Sequence, residues 1–548
     1  MKRNWLKIIF ILCLCFVNKV QAQNIKTTSV TSSTQTTPIE LVNADVLLYD
    51  ETTGNTAQRL VGNVQFKHEN ALLFCDSAYL YDDNKVDAFG KVHIQQGDST
   101  HIYGDSLAYD GNTKLAKLKH NVKLVDSDVT LTTDSMDYDR NTNIAYYKTK
   151  GTIINKENTL VSESGYYHSS EHTMYFKKNV VLTNPKYTMT CDTLKYDTSD
   201  KIAYFQSPTH IKSKENLIYC ENGWYDTESN KAQFNKNAFI KTKNQTLAGD
   251  SLYYDRTNGY GKAIKNITVT DSAQKMIITG DLADFYQRNK HTVVTKKALF
   301  MQIEGKDTLF LHADTLKHYT TSYADTVKPK VVEVPVKKGK KKKSETKKVV
   351  KEEPEDAEEK DRFIYAYHKV KFYKKDMQGM CDSLVYSTTD SLMKMFKVPV
   401  LWSEANQLTG DQINIKSFDG KIETLHLTNN AFISEEVDSN MYNQIKGKTM
   451  IGYFVKNELS RISVKGNGQT IYYAKEDNDS YIGVNKAECT DLMIYLKESK
   501  VDKITFYKKP VATLYPIDKI SGDDLFLKDF KWYGAKRPKN RYDVFVWE

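Results

Sequence analysis

The 548 residues carry 78 Lys and Arg against 69 Asp and Glu, a net charge of +9, and 40% of them are hydrophobic. With 25 Gly and 10 Pro the chain is neither collagen-like nor disordered throughout. Its basic residues are spread along the chain outside one linker, so no nucleic-acid partner is expected, and the polar balance suits a repeat protein without one deep core.

The N-terminus reads as a cleaved secretory signal over 1–22. Lys2, Arg3 and Lys7 precede the apolar run Ile8 to Val17, and Val20-Gln21-Ala22 ends on a small residue. The run is too short to span a bilayer, although a retained anchor is the rival reading. Cleavage removes Lys2, Arg3, Lys7 and Lys19 and lowers the net charge to +5. A flexible Thr/Ser-rich lead-in follows over 23–43.

Repeats occupy 44–319, and one phrase recurs in them and beyond. It reads Gly249-Asp250-Ser251-Leu252-Tyr253-Tyr254-Asp255, and returns as Gly104 to Asp110, Cys191 to Asp197 and Cys381 to Tyr386. Its acidic slot falls at Asp76, Asp105, Asp134, Glu163, Asp192, Glu221 and Asp250, always 29 residues apart. A fixed period of this size is the mark of a repeat architecture. Apolar residues alternate two apart, with turn signals at 110–112, 139–141 and 255–259. That is strand language, and the chain is expected to be nearly all β.

Three rows are predicted to be buried along the repeat axis. Thirteen residues after the slot stand Phe89, Leu118, Tyr147, Phe176, Phe205 and Phe234. Nineteen after it stand Leu124, Ile153, Leu182, Ile211, Ile240 and Val269. Three before the next slot stand Ile102, Leu131, Leu160, Met189, Ile218, Leu247 and Ile278. The residue just before the slot is small, and Cys75, Cys191, Cys220 and Cys381 fill it as packing residues. The alternative is a disulfide between Cys191 and Cys220, which the distance between their Cα atoms decides.

At 320–362 a block of lysines gives way to a block of acids. It cannot bury enough apolar surface to order itself, so it is predicted as a disordered charged insertion at a hairpin turn of one continuous solenoid. Repeats continue over 363–447. A longer period of 42 begins at 448 and runs into the tail ending at 548, matching Tyr453 to Tyr495, Ile462 to Ile504 and Tyr473 to Tyr515. The extra length is assigned to a loop at 474–488.

A carboxylate present in nearly every repeat is structural rather than catalytic. Asp before Ser or Thr is expected to hold backbone amides at a bend. No HExxH, Walker loop, dinucleotide fingerprint or nucleophile elbow occurs, so no catalytic, metal or cofactor site is expected and the chain reads as a non-enzyme. The working surface is instead the apolar face. Its candidate lipid-binding residues are Leu107, Tyr109, Leu118, Leu124, Leu131, Met136, Tyr138, Phe176, Leu182, Leu194, Tyr196, Phe205, Ile211, Phe234, Ile240, Leu252 and Tyr254. Periodicity alone does not separate a core packed between two sheets from a groove for acyl chains.

The units combine Gly-Asp-x-Leu-x-Tyr, a short turn and strands of the kind seen at Ile264 to Val269 and Leu60 to Phe66. They resemble the OstA-like repeats of the LptA family, which also form the N-terminal periplasmic part of LptD. The resemblance covers about 44–319 and 363–526. It implies an elongated, open β-jelly roll of two facing sheets. It implies a periplasmic protein that binds lipopolysaccharide or a related glycolipid and helps move it to the outer membrane along an apolar groove. Implied partners are other jelly-roll transport proteins, joined by edge-strand pairing, and an outer-membrane translocon. The chain departs from the family in its many repeats, its charged insertion and its 42-residue units, and it is too short to hold the LptD barrel. The alternatives are a closed-core envelope scaffold or adhesin, and a polysaccharide-active parallel β-helix.

Overall fold

The computed structural model describes residues 37–49, 57–126, 129–155, 157–289, 291–305, 307–322, 359–418, 421–455, 458–476, 480–497 and 500–547. The signal segment, most of the lead-in and residues 323–358 of the charged insertion lie outside them.

Among the described residues thirty-six strands form one antiparallel meander, each pairing with strands at most three places away in the chain. What makes this more than a flat ribbon is a corner in the middle of each long strand. Between Leu115–Asp126 and Val129–Asp139 the pairing runs from Leu115↔Asp139 to Lys119↔Ser135, skips, and resumes at Val122↔Thr133. The skipped His120 and Asn121 both hold left-handed backbones, at φ 61° and 51°. Two such residues in a row re-aim the strand, as a bulge does. The halves before and after the corners therefore build two sheets whose apolar faces share one core. Hairpin turns close the far ends of both sheets, and those turns form the two lips of a cleft.

The acidic slot explains how the corners are held. Asp105 accepts a hydrogen bond from Asn121 Nδ2 at 2.6 Å, Glu163 from Asn179 at 2.6 Å, Glu221 from Asn237 at 2.7 Å and Asp250 from Asn266 at 3.0 Å. Each Asn is a left-handed corner residue of the next strand. Asn tolerates that conformation better than other non-glycine residues, and the carboxylate fixes its side chain. The expected role of the acid as a bend-former therefore needs one correction: its side chain holds a neighbouring side chain, not a run of backbone amides.

The predicted rows face inward with one displaced member, but Leu182, Ile211, Ile218, Ile240, Leu247 and Val269 are only partly buried. Leu118, Tyr147, Phe176, Phe205 and Phe234 are buried, but Phe89 is 43% exposed. The hairpin turn at 82–84 has three residues where 111–114 has four. The missing residue shifts the face, because side chains alternate with period two. Ala88 takes the inward place opposite Leu107, while Phe89 opposes Ser106 and packs edge-on against Tyr79.

All five cysteines among the described residues are free and buried. Thr209 lies between two of them: the strand Thr209–Ser213 pairs on one side with that of Cys191 and on the other with that of Cys220. Two strand spacings, about 9.6 Å, exceed the reach of a disulfide. Burial pushes the Cys75 thiol up to about 11 and those of Cys191, Cys220 and Cys381 up to about 12. A thiol-reactive dye at pH 8 is expected to leave these four unmodified in the native protein and to modify them after denaturation. Fast labelling of the native protein would refute the packing role.

The 42-residue units differ from expectation. Glu458–Lys475 and Tyr481–Lys497 are strands of 18 and 17 residues, so the added length is strand and not a loop at 474–488. Longer strands leave apolar residues on the outer face, and the tail covers them. Beyond Tyr515 the chain runs back over the outside of one sheet. Gln444 bonds Leu525 O and Leu527 N, and Gln407 bonds Lys531 O and Tyr533 N. Each buried amide thus supplies both halves of a backbone pairing. Arg537 reaches Gln378 and Glu404 O, and Lys371 donates to Val546 O at 2.6 Å. Beneath this strap Val400 and Trp402 meet Tyr533 and Trp547, while Phe432, Ile471, Tyr473 and Val484 meet Ile520 and Leu527.

Candidate functional site: a cavity between the sheets

The spacing of the two lips decides whether the interior is core or cavity. Near the N-terminus they are tied together. Arg140, in a turn of one sheet, reaches across to the other lip. It donates to His68 O and Asn70 Oδ1, both at 3.1 Å, and to Tyr109 OH at 2.6 Å. Tyr109 OH in turn donates to His68 Nδ1, which also accepts from Arg140, so the His68 proton sits on Nε2, which donates to Thr37 O at 3.0 Å. Burial and the nearby guanidinium keep this histidine neutral, pushing its pKa down. Tyr138 donates to Gln96 across the cleft at 3.0 Å, Gln96 donates to Asn143 at 2.8 Å, and Tyr167 donates to Asp126 at 2.8 Å. Toward the C-terminus Arg362 and Asp271 form an ion pair of 2.9 Å across the lips, with Phe300 against Tyr386 behind it.

Between these two closures the lips part. Leu182, Ile211, Ile218, Ile240, Leu247, Val269 and Phe285 point inward yet are only partly buried. Before them Leu124 and Leu131, and after them Phe300 and Leu311, are at most 2% exposed. The space they line is a cavity of ≈ 1100 Å³, apolar inside. Its rim carries Lys186, Lys214, Glu215 and Asn216 on one lip and Asn230, Arg256 and Gln287 on the other. Burial pushes the Tyr187 hydroxyl up to about 12, so this wall residue stays a neutral phenol. At the N-terminal end the cavity opens into a smaller hollow of mixed polarity, ≈ 670 Å³, sharing Val129, Asn158, Tyr196 and Thr227 with it. The hollow adds Asp126, Glu157, His172, Ser199, Lys201 and Glu228.

The candidate lipid-binding residues divide at this boundary. Phe176, Leu182, Leu194, Tyr196, Phe205, Ile211, Phe234, Ile240, Leu252 and Tyr254 line the cavity. Leu107, Tyr109, Leu118, Leu124, Leu131, Met136 and Tyr138 lie in the closed N-terminal core, none more than 7% exposed. Ile218 and Leu247 also line the cavity. They belong to the row three before the acidic slot, so the signal for them was present. The rim residues stand in hairpin turns, where only the position of the cleft gives them meaning.

Residues 36–192 and 188–250 match the family described as OstA-like protein. Through this stretch, somewhat over a third of its length, the chain is similar to the OstA-like family. Among curated proteins none matches the chain. The OstA-like match takes in the closed N-terminal core and the larger part of the cavity, whereas Val269, Met276, Phe285 and His291 extend the lining beyond it. Strand pairing and corner geometry continue unchanged across that point, so the OstA-like repeat unit outlasts the matched residues.

Proposed function

We propose that this OstA-like chain is a non-enzymatic, periplasmic carrier that binds lipopolysaccharide or a related glycolipid and helps move it to the outer membrane. The carrying observation is the cavity of ≈ 1100 Å³ between the sheets, on whose wall Leu182, Ile211, Ile240, Leu247, Val269 and Phe285 are only partly buried although Phe205, Phe234 and Leu252 beside them stay buried. A large apolar cavity with a polar rim is the default signature of a ligand site. Acyl chains lie against the Phe, Leu and Ile rows, where each buried CH₂ contributes about 0.8 kcal/mol. The ammonium groups of Lys186 and Lys214 and the Arg256 guanidinium at the rim suit phosphates or other anionic groups. Terminal strands favour the expected docking with jelly-roll partners and an outer-membrane translocon: Leu41, Val42 and Leu47 at one end and Val511 and Leu514 at the other are exposed.

The test is to place a carboxylate on the cavity wall with Ile211→Glu or Leu247→Glu. Both positions are partly exposed to the cavity, so the fold tolerates them better than a core site. Lipopolysaccharide binding is expected to weaken by roughly 30- to 100-fold, the equivalent of about 2–3 kcal/mol for a charge facing acyl chains. Unchanged binding by a folded variant removes the cavity from the lipid path.

A further inference from the structure

A carrier of this shape invites the picture of a groove running its whole length. The two closures argue otherwise. At one end Arg140, Tyr109 and His68 lock the lips, followed by Gln96 with Tyr138 and Asp126 with Tyr167. At the other end Arg362 and Asp271 lock them. Behind each lock the core is packed to the centre, with Leu60, Ile102 and Val92 at 0% exposure on one side and Phe300, Leu311 and Phe372 at 0% on the other. A close-packed interior has no path for an acyl chain without separation of the sheets. The open interval runs from Leu182 on the strand Thr173–Asn184 to Phe285 on Met276–Tyr286, eight strands along one sheet or about 35 Å. The remaining strands of the 36 lie in the closed stretches or at the ends.

Resting on the lipid-carrier reading above, we infer that the ligand is held in one bounded compartment and loaded sideways through the parted lips, and that the closed stretches do not conduct it. The polarity of the two spaces orients it. The apolar cavity takes the acyl chains. The adjoining hollow mixes amides, hydroxyls, both kinds of charge and an imidazole, the donors and acceptors that a hydroxyl-rich head group pairs with. The hollow abuts the Tyr167–Asp126 lock, so the head group rests against the N-terminal closure. The flanking stretches then act as rigid spacers that hold the compartment at a set distance from either end.

A phosphatidylglycerol bearing a photoreactive diazirine on its acyl chain, incubated with the full chain and mapped by mass spectrometry, tests this. Label is expected on inward residues between Leu182 and Phe285, such as Phe205, Ile240 and Leu247. Label on Leu60, Ile102 or Val92, or on Leu311 and Phe372, as strong as in that interval overturns the bounded compartment and establishes a through-going conduit. No label on any inward residue overturns the carrier reading itself. Sideways loading has its own test. Lys214→Cys, coupled to a bulky maleimide polymer, is expected to take up the lipid roughly tenfold more slowly than the same variant uncoupled. Equal rates overturn entry through the lips.

Discussion

A chain ending at Tyr515 is expected to lose the native packing of its C-terminal sheet. The strap from Pro516 to Trp547 covers Val400, Trp402, Phe432, Ile471 and Val484, all buried on the outer face. Re-exposing each such side chain costs about 1.5–3 kcal/mol, so the five together approach the whole stability of an ordinary domain, about 5–15 kcal/mol. The truncated chain should show early proteolysis between 370 and 500, or aggregation through the bared face, while strands before 300 stay protected. Limited proteolysis with mass mapping and a thermal melt would read both effects. A truncated chain that melts at the wild-type temperature would show that the strap contributes nothing to the sheet. Trp402→Ala, with the strap intact, should cost about 3–5 kcal/mol and follow the same regional pattern.

Arg362→Ala is expected to destabilise the protein by about 3–5 kcal/mol, because it leaves a carboxylate almost wholly buried without its cation. Asp271 is 2% exposed and also accepts from Gln245 Nε2 and the Gln274 amide, each at 2.9 Å. Burial alone would raise its pKa, but these two donors and the guanidinium outweigh it and hold the carboxyl below its usual value. A carboxyl with a depressed native pKa adds stability above its unfolded value and loses it as pH falls through the native one. The gap between wild type and Arg362→Ala should therefore be full at neutral pH and shrink in acid. Chemical denaturation at pH 7 and at acidic pH measures it, and an equal gap at both would mean that the pair is not the source. Since Arg362 also ties the lips, the variant should widen the C-terminal closure and extend photolabelling toward Phe300.

The repeat was legible because it is written in residues that a corner and a core each require. Asp105, Glu163 and Asp250 recur at one spacing because each holds the corner Asn of the next strand. The Asn sixteen residues later carried the same message, but an Asn inside a strand reads as noise until its left-handed backbone is seen. Phe89 shows how fragile a row is: one residue fewer in a turn turned it outward. The cavity was only half legible. Leu124 and Ile211 have the same offset from the slot and the same chemistry, yet one sits in closed core and the other on a cavity wall. What separates them is the distance between lips, set by Arg140, Gln96 and Asp126, each a single polar residue in or beside a turn. Periodicity has no means of flagging residues that break it once. The strap was also hidden, since Gln407 and Gln444 look like ordinary surface amides until the tail lies over them.

The strap also sets a timetable for the ribosome. Every strand pairs with a close neighbour in the chain, so the meander can zip up from its N-terminus as residues emerge. The bonds between Lys371 and Val546 and between Gln378 and Arg537 span 175 and 159 residues and cannot form until Arg537 and Val546 have been made. Until then the outer face around Trp402 stays wet and sticky. A nascent chain is thus unsealed in a way that a chaperone or protease can sense until the strap from Pro516 to Trp547 closes over that face.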